Sequence, residues 1–207
     1  MTDPNPALCP TVDLSEFDVI AAMKEIPGYI DISPGDFKEV FRIAYVHALR
    51  RTLESRTAKD IMTSPVQCLH VDTSLVEAAK FLADQHFSGG PVIDADGRVV
   101  GVVSEKDFLA KMGIGQHASM MQVVTHCLSH KGCMVMDLRN HVLGDIMHTP
   151  AITAGPDMTM GAIAALFAEK QINRVPIVDK DMRPIGIVTR SNLVHAYRPS
   201  PLGGDRP

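Results

Sequence analysis

Asp60-Ile61-Met62 returns as Asp145-Ile146-Met147, and from there the register holds without a gap at an offset of 85 residues. Between Asp60 and Leu109 the copy from Asp145 to Val194 is identical at 13 of 50 positions, among them Pro65/Pro150, Asp72/Asp157, Pro91/Pro176, Asp94/Asp179 and Gly101/Gly186. Identities that fall on prolines, glycines and acids mark turns and caps, so the repetition is one of structure.

Each copy reads alike. After the proline comes a short strand. Asp72-Thr73-Ser74 or Asp157-Met158-Thr159 then supplies oxygen acceptors where a helix N-terminus needs them. The helix that follows carries an apolar stripe, Leu75, Ala78, Ala79 and Leu82 in the first copy and Met160, Ile163, Ala164 and Phe167 in the second. Two strands come next, Pro91–Ile93 and Val99–Val103, joined by Asp94-Ala95-Asp96-Gly97. They are answered by Pro176–Val178 and Ile185–Val188 across Asp179-Lys180-Asp181-Met182. A helix beginning at Ser104 or Thr189 closes each unit. The prediction is an α/β (α+β) fold of two β-α-β-β-α units whose sheets bury best against each other.

Residues 1–56 lie outside the repeat and are expected to form a helical arm. Ser33-Pro34-Gly35-Asp36 combines a hydroxyl cap, a proline at the first helical position and a carboxylate three residues on. Phe37, Val40, Phe41, Ala44, Ala48 and Leu49 follow at helical spacing. A weaker helix is read around Ser15 to Met23, ending before Pro27-Gly28. The repeats themselves are assigned to 57–112 and 142–198. Residues 113–141 are too long for a plain loop and are expected to hold a helix with the stripe Met120, Val123, Val124, Cys127 and Leu128, ending at Gly132. Residues 199–207 are read as a disordered tail.

A net charge of −4 and a pI near 6.1 give none of the basic field that binding to a phosphate backbone requires, so nucleic acid is not an expected partner. Apolar runs such as Val99–Val103 stop far short of the roughly 20 residues of a membrane span, and the stretch MTDPNPALCP lacks a basic and then apolar leader, which points to the cytoplasm. Cys9, Cys68, Cys127 and Cys133 sit at irregular spacings without a CxxC and are read as reduced thiols.

The pattern DIM-x-x-P, a helix, PV-h-D, and then G-h-h-[ST]-x-x-[DN], occurring twice in order and at equal spacing, resembles the CBS domain family. The resemblance covers about 100 of the 207 residues. It implies two repeats paired about a pseudo-two-fold axis with two clefts between them, frequent dimerisation, here expected as a homodimer through the repeats, and an adenosine-containing ligand such as AMP, ADP, ATP or S-adenosylmethionine. No cofactor is required for this. The implied ribose acceptors are Asp107 and Asn192, and the implied adenine pocket takes Val66, Gln67, Ala151 and Ile152, with Pro91 and Pro176.

The residues themselves fit those roles. In Gly101–Asp107 a strand ends at Ser104, which opens a helix, so that backbone N–H groups and a hydroxyl point where phosphate can sit, with Lys106 beside them. In the second copy Thr189 keeps the hydroxyl and Arg190 adds a forked donor, while Asn192 accepts without charge. Ser88-Gly89-Gly90 lets backbone approach a base, whereas Asn173-Arg174-Val175 places an arginine, Arg174, in reach of phosphate, so the two clefts are expected to be unequal. Against these stand plainer roles: helix caps for Ser104 and Thr189, solvated first-turn residues for Asp107 and Asn192, surface ion pairs for the arginines.

The competing constellation is His126-Cys127-x-x-His130-x-x-Cys133, with His117 and His141 nearby. His126 and His130 share a helix face, but Cys127 falls on the apolar stripe, so no metal site is assigned. Met120, Met121, Met134 and Met136 read as apolar filler. No phosphate-binding loop, nucleophile elbow or dinucleotide fingerprint occurs. The expectation is a non-enzymatic regulatory module that binds adenine nucleotide and signals to a separate, unidentified protein. A ligand-free interaction module is the alternative, and a metal-responsive protein the remoter one.

Overall fold

The computed structural model describes residues 15–28, 31–112, 121, 125 and 136–196. The chain divides into a unit ending at Leu53 and one beginning at Glu54. The first holds helix α1 (Glu16–Glu25) and most of α2 (Pro34–Ser55). Both begin where hydroxyl and acid stand three apart. The amide of Asp18 donates to Ser15 Oγ at 3.2 Å and Ser15 N donates back to the Asp18 carboxylate at 3.0 Å, while Ser33 Oγ donates to Asp36 at 2.6 Å. Helix α1 runs two residues past the sequence reading, to Glu25.

The second unit starts with the four-residue helix α3 (Ala58–Ile61), then β1 (Leu69–His70), α4 (Leu75–Asp84), β2 (Gly89–Ile93), β3 (Val99–Ser104) and α5 (Glu105–Lys111). Two 3-10 turns, Met136–Asn140 and Leu143–Asp145, lead to α6 (Met160–Lys170), β4 (Arg174–Val178), β5 (Pro184–Thr189) and α7 (Arg190–Ala196). Strand β1 pairs parallel with β2, which pairs antiparallel with β3, and β4 pairs antiparallel with β5. The expected strand after Pro150 is only a single parallel bridge from Ala154 to Ile177. Gly89 and Gly90, read as a place for backbone to approach a base, begin β2, which thus starts two residues before the strand expected at Pro91.

The two units of the repeat exchange their first segments. Ala58 N donates to Met158 O at 2.8 Å and Lys59 N to Pro156 O at 3.0 Å. Eighty-five residues on, Leu143 N donates to Thr73 O and Gly144 N to Val71 O, both at 2.9 Å. Thr63 and Ile187 exchange both backbone bonds, at 2.9 and 3.1 Å, as do His148 and Val102 at 2.8 and 3.1 Å. Each bond has its counterpart with the repeats interchanged, which is the pseudo-two-fold relation. Helix α3 accordingly packs on α6, α7 and β5 of the other repeat.

Two glycines permit this. A Cβ on Gly101 would run into Met147, and one on Gly186 would run into Met62, so the methionine of each DIM segment lies flat against the opposite sheet. Around that exchange the cores form. Leu75, Ala78, Leu82, Val92, Val103 and Leu143 are buried together in the first, joined by Leu138 from the segment read as linker. Met160, Ile163, Ala164, Phe167, Val175, Ile177 and Val188 are buried in the second repeat. Ala79, read as part of the first stripe, is exposed, because the edge this short helix buries is Leu75, Ala78 and Leu82 at i, i+3 and i+7.

Of the segment 113–135, only Met121 and Thr125 are described. Thr125 Oγ1 donates to the carbonyl of Met121 at 2.8 Å, and the Met121 side chain, read as apolar filler, is 68% exposed. The stripe from Met120 to Leu128, the cysteines and histidines at 126–133, His117, Met134 and the tail 199–207 lie outside the described residues.

Candidate functional site

Between the repeats lies a cleft of about 270 Å³. Its floor comes from repeat 1: Pro65, Val66 and Gln67 after α3, and Ser88, Gly89, Gly90 and Pro91 at the start of β2. Its other wall comes from repeat 2: Arg174 on β4, and Ile187 and Thr189 on β5. The exchange of first segments is what brings these together, since Thr63 and Ile187 are bonded backbone to backbone and both line the cleft.

Half of the residues singled out in the sequence meet here: Val66, Gln67, Ser88, Gly89, Gly90, Pro91, Arg174 and Thr189. The grouping is crossed, because the hydroxyl-and-amide pair that serves the repeat 1 floor is Thr189–Asn192 of repeat 2. Asn192 stands just behind the cleft. Its Oδ1 accepts from Thr189 N at 2.8 Å and Thr189 Oγ1 at 2.6 Å, and its Nδ2 donates to Thr63 Oγ1 at 3.2 Å. It therefore holds α7 and the segment after α3 in one place.

The remaining residues sit at the counterpart positions. Ser104 N and Oγ donate to Asp107 Oδ2 at 2.7 and 2.8 Å, the same cap as Thr189–Asn192 but on a carboxylate. Of the residues that the pseudo-symmetry would set opposite this cap, Ala151 and Ile152 are half-buried and Pro176 is fully buried. Lys106 and Arg190, each in the first turn of its helix, are exposed. Thus the capping role set beside the ligand role for Ser104, Thr189, Asp107 and Asn192 is real in the structure, and any ligand would meet atoms already held in position.

Arg174 is not a surface ion pair. Its Nη2 donates to the carbonyl and the hydroxyl of Ser88, both at 2.9 Å, across the boundary between the repeats. Burial pushes the guanidinium below arginine's ordinary pKa, and the negative charges of Glu105 and Asp107 oppose that. Gly89 lies against it, with φ +142°, and a Cβ there would meet Val103 O and the guanidinium, so only glycine fits. Sequence reasoning missed Thr63, Pro65, His86, Phe87 and Ile187 as cleft residues. Pro65 stands in the repeated pattern, but no local signal marks the others: Thr63 and Ile187 meet only through the exchange of first segments, and His86 and Phe87 lie between the helix and strand that the repeat pattern picks out.

Cys68 is a free, half-buried thiol that burial pushes up to about 11, which makes it inert as a nucleophile near neutral pH. Among the described residues no cluster of three metal-ligating side chains occurs, and no helix is long and apolar enough to cross a membrane.

The model of the CBS domain matches residues 58–113 and 143–199. The chain belongs to the CBS-domain family. It is 32% identical over 152 residues to an uncharacterized protein, MJ1426, of Methanocaldococcus jannaschii, a match covering 67% of this chain and 89% of that one. It is 31% identical over 150 residues to the chloroplastic CBS domain-containing protein CBSX2 of Arabidopsis thaliana, covering 68% of this chain and 63% of the plant protein. Among solved structures, CBSX2 in complex with AMP superposes with a TM-score of 0.54 at 30% identity, over 68% of this chain and 95% of that one. The CBS domain pair of MJ0100 in complex with 5′-methylthioadenosine and S-adenosyl-L-methionine does so with a TM-score of 0.51 at 25% identity, over 68% and 94%.

Proposed function

We propose that this chain is a non-enzymatic regulatory module that binds an adenine nucleotide in the crossed cleft between its CBS repeats. The observation that carries the reading is the composition of that cleft: apolar and glycine backbone from one repeat faces a hydroxyl, a helix start and a guanidinium from the other. Such a cleft offers a flat apolar slot for a base and donors for a phosphate. Val66, Gln67 and Ser88–Pro91 would take the adenine, Asn192 the ribose, and Thr189, Arg190 and Arg174 the phosphate. In the counterpart cleft Ala151, Ile152 and Pro176 would take the adenine, Asp107 the ribose, and Ser104 and Lys106 the phosphate. The complexes of CBSX2 with AMP and of MJ0100 with S-adenosyl-L-methionine support an adenosine ligand.

A ligand that touches both repeats favours whichever mutual arrangement fits it, and that preference is the whole of the signal available to a partner. The repeats are the proposed homodimer surface, a separate protein in the cytoplasm the proposed listener. Calorimetric titration of the full chain with AMP, ADP, ATP and S-adenosylmethionine tests this, with a Kd on the order of micromolar expected for at least one. Because the pairing is crossed, Asn192→Ala should weaken the cleft floored by Val66, and Asp107→Ala the one floored by Ala151. Both residues are also caps, so each variant's melting temperature is measured alongside. Absence of heat from every ligand would favour the interaction-module reading.

A further inference from the structure

Residues 89 and 174 occupy the same place in the two repeats, and in the structure they meet: the space where a Gly89 side chain would be is taken by the Arg174 guanidinium. A pseudo-two-fold axis therefore passes between a glycine and an arginine. Strand register places Arg174 beside Thr189 of its own repeat and Gly89 beside Ser104 of the other. One guanidinium thus stands between the two cap pairs, Thr189–Asn192 behind it and Ser104–Asp107 ahead of it.

The charges around those caps are opposite in sign. The helix after Thr189 opens with Arg190, Ser191 and Asn192, whereas the helix after Ser104 opens with Glu105, Lys106 and Asp107. Arg174, reaching across to Ser88, brings charge from the other repeat to the acidic side, since the Gly89 side-chain space it fills adjoins Ser104, the residue bonded to Asp107. We infer that Arg174 couples the two clefts negatively, because a single guanidinium can neutralise a phosphate in the Thr189 cleft or the Asp107 side of the other, but not both. This rests on the nucleotide reading above. A dianionic ligand in the first cleft draws the guanidinium to itself, and the second cleft is left with Glu105 and Asp107 uncompensated against the next dianion. Linkage makes the penalty the same in either order of filling. A ligand with adenine and ribose but no phosphate does not compete for Arg174 and carries no such penalty.

The experiment is calorimetry on the full chain with AMP and with adenosine, repeated on Arg174→Gln, which keeps an amide donor for Ser88 and removes the charge. In the unaltered chain AMP should fill two steps whose affinities differ by about tenfold or more, within the usual span of coupling between sites, while adenosine fills both without that separation. In Arg174→Gln the two AMP steps should draw within about threefold of each other, the tighter one losing affinity. The inference is overturned if AMP fills two equal steps, if Arg174→Gln leaves the separation unchanged, or if adenosine shows the same separation as AMP. A single step for both ligands in both proteins also overturns it, since one cleft would then be idle whatever Arg174 does. If neither ligand binds, it is the nucleotide reading that has failed, and the coupling goes with it.

Discussion

The two repeats differ least where they bind each other and most where a ligand would sit. The backbone bonds that exchange the first segments match pair for pair across the offset, down to Ser64 Oγ on Ile185 O at 2.9 Å and Thr149 Oγ1 on Val100 O at 3.1 Å. Around the clefts the counterparts diverge: Gly89 against Arg174, Asp107 against Asn192, Glu105 against Arg190. One contact between the repeats is also lost to the difference, since Val99 N donates to Met182 O at 2.9 Å but its counterpart is Pro184, which has no N–H. Drift in a tandem repeat is tolerated where each side chain faces solvent or ligand. It is tolerated at the exchange too where only backbone is bonded, as at Ala58/Leu143 and Thr63/His148, and costs a bond where proline enters.

The strongest way to break that comparison is through the cores. Leu75 and Met160 are counterparts, each fully buried at the start of its helix, with amides donating to His141 O and Arg56 O across the exchange. Leu75→Ala and Met160→Ala should each cost about 2–5 kcal/mol, by lost burial and the cavity left behind. Because each helix start is bonded to the segment exchanged into it, both variants should melt in one cooperative transition. Two separated transitions for either would show that the repeats unfold independently and that the exchange is weaker than its bond pattern suggests.

A smaller effect separates the members of the unlike pair. Gly89→Ala puts a Cβ against the Val103 carbonyl at a φ of +142° and should cost about 1–3 kcal/mol, since the neighbour is backbone and the conformation is strained. Arg174→Ala asks nothing of the backbone and removes two bonds to Ser88, so its cost should be no more than about 1–3 kcal/mol, chiefly Ser88 left without its partner. Chemical denaturation of the two variants measures both. Should Gly89→Ala prove neutral, β2 has room to move and Gly89 is not required by the approach of Arg174.

Much of this was legible in the sequence because it is local. The caps at Ser15, Ser33, Ser74 and Thr159, the turns in which Asp94 and Asp179 each accept two amides, and the stripe Met160, Ile163, Ala164, Phe167 follow from spacing within a few residues. The crossing was not legible, because nothing within Val66–Pro91 says that its hydroxyl comes from Thr189, about 100 residues away. Arg174 was recognised as a donor but not as a bridge for the same reason: its partner, Ser88, is distant in sequence and offers only a carbonyl and a hydroxyl. Ala154 forms a bridge where Leu69–His70 form a strand, a difference of packing that the periodicity of four residues cannot carry.

The subtlest test compares the acids of the DIM segments. Asp60 accepts from Thr57 N at 2.7 Å, and its counterpart Asp145 accepts from Val142 N at 3.0 Å and pairs with His141 Nδ1 at 2.9 Å. These backbone bonds, with Thr57 Oγ1 in one case and His141 in the other, hold both carboxyls below the usual aspartate range. A carboxyl whose folded pKa lies below its unfolded one contributes stability that is fully present above the unfolded value, near 3.8, and is lost as pH falls through it toward the folded value. The melting temperature should therefore be insensitive to these groups from neutrality down to about pH 5 and decline below about pH 4. Asp60→Asn and Asp145→Asn should each flatten part of that decline. Equal flattening would mean that the two exchanged segments are held equally by their acids. A larger effect at Asp145 would assign the difference to His141, which stands where the first repeat has Arg56. If neither variant changes the slope, the exchange is held by its backbone bonds and buried contacts alone, and the acids of the motif serve only to start their turns.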